Sequence, residues 1–417
     1  MSADAWIEWS ALAEPADEAA GWLISTLGPD AAREWVDVAA RDVVEATIML
    51  AGSAPERTIT DVVRASERWA RRREGARSDD LRERADHCGA RVVVRDDAEW
   101  PTAVDALGRG APFALWVRGV EPLAALLPRS VAIVGARSST SYGDHIASTM
   151  AAHAADHGWS VVSGGAYGID AAAHRGALAA GGRTLAVMAG GVDRLYPAGN
   201  GDLLTRVLDQ GAIVSEVPPG WAPHRSRFLT RNRLIACATA TVVVEAAGRS
   251  GALSTANRAA ELARPVAAVP GPVTSATSAG CHRLIRDGMA VLVTGGADVL
   301  ELAGPIELRE GDAIDGGAGR GEGSNRAMPE FAAPADRAVF DALGHRAKAV
   351  EGLSATAGLT LAEVRAALGR LELAGAVHRD GTGWRRASPP QAKRFGARER
   401  PRPRQERDET GQKMREA

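Results

Sequence analysis

The chain has 417 residues, of which 45% are hydrophobic and 24% charged, with a formal net charge of −2. That length suits two or three domains of ordinary globular composition, and near-neutral charge confines any nucleic-acid-binding surface to a local patch. No apolar run reaches the roughly 18 residues that a membrane span requires.

Cys88, Cys237 and Cys281 are odd in number and widely spaced, which fits reduced thiols in a cytoplasm. Met1–Ser10 carries acidic residues and no basic start, so it does not read as a secretory signal.

Residues 1–88 read as an N-terminal helical domain, with helical apolar spacing across Trp22–Leu27 and Trp35–Leu50. The interleaved arginines and acids of Arg64–Arg84 read as a solvated helix face. Val92–Val94 and Phe113–Val117 read as strands entering a core, with a turn at Trp100-Pro101 between them. From Ser130 onward, short β-branched runs end in glycines and pass into helix-like segments: VAIVGARSSTSYG, VVSGGAYGIDAAAHRGA, TLAVMAGGVDRLYP, TVVVEAAGRSGALSTA and PVAAVPG. The intervening helices are expected at Tyr142–Ala155, Ile169–Ala179, Asp202–Leu208, Ala252–Leu262 and Cys281–Asp287. Continuous apolar strands alternating with helices predict an α/β fold: an extended Rossmann-like core over 89–304, doubly wound around a mostly parallel sheet.

The glycine-rich Gly311–Ser324 and the prolines after it make 305–334 a flexible linker by composition. Helices at Asp336–Leu343, Val350–Ala357 and Thr360–Leu373, followed by an Asp380-Gly381 hairpin signal, predict a winged-helix-like domain over 335–386. Residues 387–417 form a basic tail with Arg-Pro alternation at Arg400–Arg404, a disordered composition.

Glycines at strand carboxyl ends, beside helix N-termini, let main-chain N–H groups face an anion at the edge where open α/β sheets bind ligands. Lysine occurs only at Lys348, Lys393 and Lys413. A Walker, Schiff-base or general-base lysine is therefore excluded from the core, and the phosphate-facing cations there are arginines. Arg137, just past the first run's Gly135, projects as a phosphate contact or a structural ion pair. In the second loop, Ser163, Gly164, Gly165 and Gly168 precede Asp170, which fits a helix cap. His174 is either an acid–base group or a hydrogen-bonded structural histidine. Arg225, Phe228, Arg231, Asn232 and Arg233 form a dense cationic cluster, the strongest phosphate-binding candidate. Ser250, Gly251 and Thr255 make a glycine–hydroxyl turn at a helix start, after Glu245, which either polarises a ligand or bonds a loop. Tyr142, Tyr167, Tyr196, Trp221 and Phe228 are base-stacking platforms or packing under the loops. No G-x-G-x-x-G, H-E-x-x-H, paired C-x-x-C or G-x-S-x-G occurs, and His153 and His157 read as a polar helix face. No cofactor or metal is expected.

VAIVGAR, SGGAYGIDAAAH, AGGVDRLYP, SEVPPG, RNRLI, VVEA with SGALSTA, VPG and GCHRLIRDG occur in one order. Together they resemble the DNA-processing protein A (DprA/Smf) family over roughly residues 90–302, and the C-terminal module resembles its accessory winged-helix domain. The resemblance implies a cytoplasmic, non-catalytic, homodimeric protein that binds single-stranded DNA. It further implies protection of incoming strands in natural transformation and help in loading RecA recombinase. It assigns DNA contact to Arg137, to Gly164, Gly165 and Gly168, to Arg231, Asn232 and Arg233, and to Ser250, Gly251 and Thr255. Two departures stand out: Leu229-Thr230 where the family has proline and any residue, and Ala198 where a lysine is frequent. The phosphate contact of that lysine is either absent or taken by Arg194, Arg225 or Arg249. The alternative is a Rossmann-like phosphoribohydrolase that cleaves nucleoside monophosphates, with Glu245 beside the phosphate turn.

Overall fold

The computed structural model describes residues 2–304, 333–343, 348–374, 376–380 and 383–386. The chain divides into two compact units, the first holding the described residues up to 304 and the second those from 333 onward. Most of the expected linker (305–334), the 387–417 tail and the Gly381-Thr382 turn lie outside the described residues.

The first unit opens with helices Ala3–Leu12, Glu18–Leu27, Pro29–Arg41, Val43–Met49, Glu56–Arg72 and Ser78–His87. Tryptophan fills their shared core. Trp9, Trp35 and Trp69 are fully buried, and each indole N–H finds an acceptor, Trp9 on the Pro29 carbonyl (3.0 Å), Trp35 on that of Ala46 (3.0 Å) and Trp69 on the Asp17 carboxylate (3.1 Å). Satisfying that one polar atom lets so large an apolar ring be buried. Trp9 also packs edge-on to Trp69 at 5.4 Å and against Phe113 at 6.1 Å. One continuous apolar cluster thus joins the helices to the sheet.

The sheet has nine strands: β1 (Arg91–Val93), β2 (Leu115–Gly119), β3 (Ser130–Val134), β4 (Ser160–Ser163), β5 (Thr184–Met188), β6 (Ala212–Ser215), β7 (Ala240–Val243), β8 (Val266–Ala268) and β9 (Val291–Leu292). Their order is β1-β2-β6-β5-β4-β3-β7-β8-β9. Strands β3 to β9 pair in parallel, while β1 and β2 extend the β6 edge antiparallel. Residues alternate across the sheet. Val131 and Ile133 of β3 pack under the helices Ser141–Asp156 and Ile169–Ala179. Ala132 and Val134 face the helices Arg225–Ile235 and Gly251–Glu261. Both faces are covered, as a doubly wound sheet requires.

The chain runs outward from β3 to β6, then returns to the other side of β3 with β7. Strand order reverses between β3 and β7, and the loops leaving their carboxyl ends diverge there.

The second unit contains helices Pro334–Ala342, Val350–Ala357 and Leu361–Leu373 and a hairpin of β10 (Val377–Asp380) and β11 (Gly383–Arg386). Val339, Leu353, Val364, Leu368, Leu371, Val377 and Trp384 form its core. Thr360 and Glu363 cap the third helix reciprocally, and buried Asp336 accepts two bonds from Arg370 at 2.9 and 2.6 Å. Among the described residues, no helix is long and apolar enough to cross a membrane.

Candidate nucleic-acid interface

At the reversal point lies a crevice of about 370 Å3. The β3 loop gives Gly135, Ala136, Arg137 and Ser138, and the β7 loop gives Ala247, Arg249, Ser250 and Gly251. Helix Arg225–Ile235 closes it with Phe228, Leu229, Arg231 and Asn232, while Thr255 and Asp170 reach in from below.

The loops are stitched to one another. The Ala136 N–H donates to the Glu245 carbonyl at 2.7 Å, and the Ile169 N–H donates to the Ala136 carbonyl at 3.2 Å. Gly168 is a point of close approach. Its φ is +73°, and a Cβ there would sit 2.3 Å from the Ala136 carbonyl oxygen, a position only glycine can occupy.

Arg137 and Arg249 are exposed at the mouth, and neither has a carboxylate partner among the described residues. The Arg137 guanidinium lies over the Phe228 ring at 5.2 Å, and Tyr196 packs on the same ring at 5.7 Å. An exposed cation, a half-buried ring and an exposed ring therefore form one stack. Opposite, Ser250 caps helix Gly251–Glu261, accepting the Ala252 N–H at 3.3 Å. This positive helix end opens into the crevice.

Arg231 forms the floor. It is 7% exposed and donates to the carbonyls of Gly164 (2.9 Å) and Val187. Burial pulls its pKa down to about 10, with Asp170 opposing and Arg137 reinforcing that shift. It stays cationic at neutral pH, and its Nε has no partner. The buried Asp170 carboxylate and the two carbonyls offset part of that charge.

The structure gathers Arg137, Phe228, Arg231, Asn232, Ser250, Gly251 and Thr255 in one crevice. It separates the rest. Arg233 is 6% exposed, with its Nη2 2.5 Å from both Glu216 oxygens, so it is held in a buried ion pair outside the crevice lining. Arg225 is exposed but lies outside the crevice lining. Ser163 is fully buried and donates to the Ile133 carbonyl at 2.7 Å.

The glycine loop also differs from the expectation. Asp170 does not cap its helix, since it accepts the Gly164 and Ala166 N–H groups at 3.1 and 3.4 Å. Those donors are consumed inside the protein and do not face an anion. The Gly165 carbonyl accepts from Asn200 at 3.0 Å. Burial raises the Asp170 pKa, against the pull of Arg231 and these N–H donors.

The remaining acid–base candidates are engaged as well. Glu245 is 3% exposed and accepts from the Thr140 N–H (2.9 Å) and hydroxyl (2.7 Å). His174 is fully buried, sits 2.7 Å from the Thr184 hydroxyl, and has its pKa pushed down to about 3, chiefly by burial. It is a neutral structural histidine. Glu216, the partner of Arg233, lay in the SEVPPG segment but carried no charge pattern that singled it out.

Comparison with known proteins fits this geometry. The family model of DNA recombination-mediator protein A matches residues 91–304, and that of the DprA winged helix domain matches 325–381. The chain belongs to the DNA recombination-mediator protein A (DprA/Smf) family. A Mycobacterium tuberculosis protein named DNA processing protein DprA is 46% identical over 324 residues, covering 74% of this chain and 80% of that protein. The Streptococcus pneumoniae DNA processing protein DprA is 40% identical over 191 residues, covering 46% of this chain and 66% of that protein. The X-ray structure of the pneumococcal DNA processing protein A superposes with a TM-score of 0.52 at 32% identity, covering 63% of this chain and 92% of that chain. The Rossmann-like core and the winged-helix domain are thus family features.

Proposed function

We propose that this DprA-family chain binds single-stranded DNA along the crevice rim, without regard to sequence and without covalent chemistry. The observation that carries the reading is the Arg137–Phe228–Tyr196 stack, with Arg137 and Tyr196 exposed, beside a helix N-terminus and the buried Arg231. Phosphates take the guanidinium and main-chain donors, and unpaired bases take the aromatic faces, which accept any base. Arg249 at the crevice mouth supplies the cation that Ala198 does not.

The family's description as a recombination mediator supports a further step, the handing of the bound strand to RecA recombinase in the cytoplasm. A homodimer fits an unprotected sheet edge at β9, where Val291 and Leu292 are 53% and 48% exposed. The phosphoribohydrolase alternative loses its support, because Glu245 bonds Thr140 and lies outside the crevice lining.

The test is a gel-shift comparison of single-stranded and duplex DNA across a salt series with the full-length protein. Tighter binding of the single strand, with a slope near −0.7 per neutralised phosphate, is expected. Equal affinity for duplex, or release of free base from nucleoside monophosphates, would overturn the reading.

A further inference from the structure

Among the described residues, the loop Glu14–Asp17 of the N-terminal helical region meets the crevice-lining helix. Glu14 accepts two bonds from Arg227, at 3.0 Å from Nε and 2.9 Å from Nη2, and a third from Arg72 at 2.6 Å. Arg227 also donates to the Ala222 carbonyl at 2.9 Å. The Trp221 ring is flanked by both guanidiniums, Arg227 at 4.5 Å and Arg72 at 5.2 Å. Two residues on, the Ala16 backbone lies beside Glu216, the buried partner of Arg233. Pro15 packs beside Glu216, Arg227 and Arg231 around a void of only about 10 Å3.

At about 3.6 residues per turn, Arg227 and Arg233 stand about 120° apart on the side of the helix away from the face that carries Phe228, Arg231 and Asn232. A carboxylate holds each of them, Glu14 on Arg227 and Glu216 on Arg233, and Pro15 of the loop packs beside Glu216. Displacement of the helix strains both pairs. Ala16 has φ +61°, one of two non-glycine residues in the left-handed region among the described residues. Such a conformation persists only where its surroundings impose it.

We propose that Glu14 is a positioning residue for DNA binding: with Ala16 it latches helix Arg225–Ile235 from behind and so sets where Phe228 and Arg231 stand in the crevice. This assigns the N-terminal region a role in strand affinity without any contact to the strand. The inference rests on the proposed DNA-binding reading for its affinity arm only.

The experiment uses the full-length protein and its variants Glu14→Gln, Arg227→Gln and the double. Hydrogen exchange is measured without DNA, and dissociation constants for oligothymidylate are measured across salt. Each single variant is expected to speed exchange over residues 222–235, leave β3 and β4 protected, and raise Kd by roughly an order of magnitude with the salt slope unchanged. The double variant is expected to be no worse than the worse single. Ala16→Pro, which removes the N–H and cannot adopt a positive φ, is expected to reproduce the effect with Glu14 in place, and keeps the test decisive if a Glu14 variant fails to fold. Native exchange in 222–235 for both Glu14→Gln and Ala16→Pro, or additive losses in the double, overturns the latch. Absence of DNA binding by the unmodified protein overturns the functional reading instead and leaves the exchange arm intact.

Discussion

Arg137 and Arg233 look alike in the sequence and are expected to behave oppositely on removal. Arg137 is exposed at the crevice mouth and has no carboxylate partner among the described residues. Arg137→Ala removes one charge-assisted bond, worth about 1.5–3 kcal/mol, so Kd for oligothymidylate rises about 10- to 100-fold at low salt. One fewer neutralised phosphate flattens the slope of log K against log salt by about 0.7, so the deficit shrinks about 2.5-fold over a roughly fourfold rise in salt. Stability is unchanged. Arg233→Ala instead strands Glu216, 6% exposed, without its cation, and costs about 3–5 kcal/mol of folding stability with the slope intact. Filter binding across salt and urea unfolding of both variants make the comparison. A stable Arg233→Ala with a flattened slope, or an Arg137→Ala that binds like the parent, refutes the assignment.

Three further outcomes are expected. Phe228→Ala removes the ring shared by Arg137 and Tyr196 and weakens binding by about 1–3 kcal/mol with little change in slope, as fluorescence titration will report. Gly168→Ala forces a Cβ to within 2.3 Å of the Ala136 carbonyl at φ +73°, so the melting temperature falls and Arg137 is displaced with the loop. His174 is neutral in the fold, its pKa held at about 3 by burial, whereas the unfolded chain takes up a proton at the ordinary 6.5. The unfolded state therefore binds more protons between those values, and stability present above pH 6.5 falls as pH drops toward 3, by up to about 1.4 kcal/mol per unit. Urea midpoints at pH 7 and 4.5 will show this fall in the parent and a shallower one in His174→Asn.

The sheet was legible because parallel strands covered on both faces must be unbroken apolar runs, and Val131–Val134, Val161–Val162 and Leu185–Met188 are such runs. β6 was not read as a strand, since Ala212–Ser215 leads into Glu216-Val217-Pro218 and not straight into a glycine loop, and SEVPPG stood out only as a motif. Helix Arg225–Ile235 escaped notice for a different reason. Its buried residues include Arg227, Arg231, Asn232 and Arg233, so hydropathy shows no apolar stripe where the helix is nonetheless packed. The same helix hides the ion pair of Arg233. Glu216 lies 17 positions from Arg233, and pairing across that separation is a property of the fold that no local spacing encodes. Asp170 was read as a helix cap from its place near a helix start, yet loop N–H groups bent back toward it by the left-handed Gly165 are what it accepts.

Arg231 is fastened to the Gly164 and Val187 carbonyls, and the loops around it are bonded to one another. A groove braced by hydrogen bonds within the protein loses little conformational entropy at encounter. Capture should therefore run at a rate set by diffusion and electrostatic steering, falling with ionic strength, and no slow isomerisation phase should follow mixing.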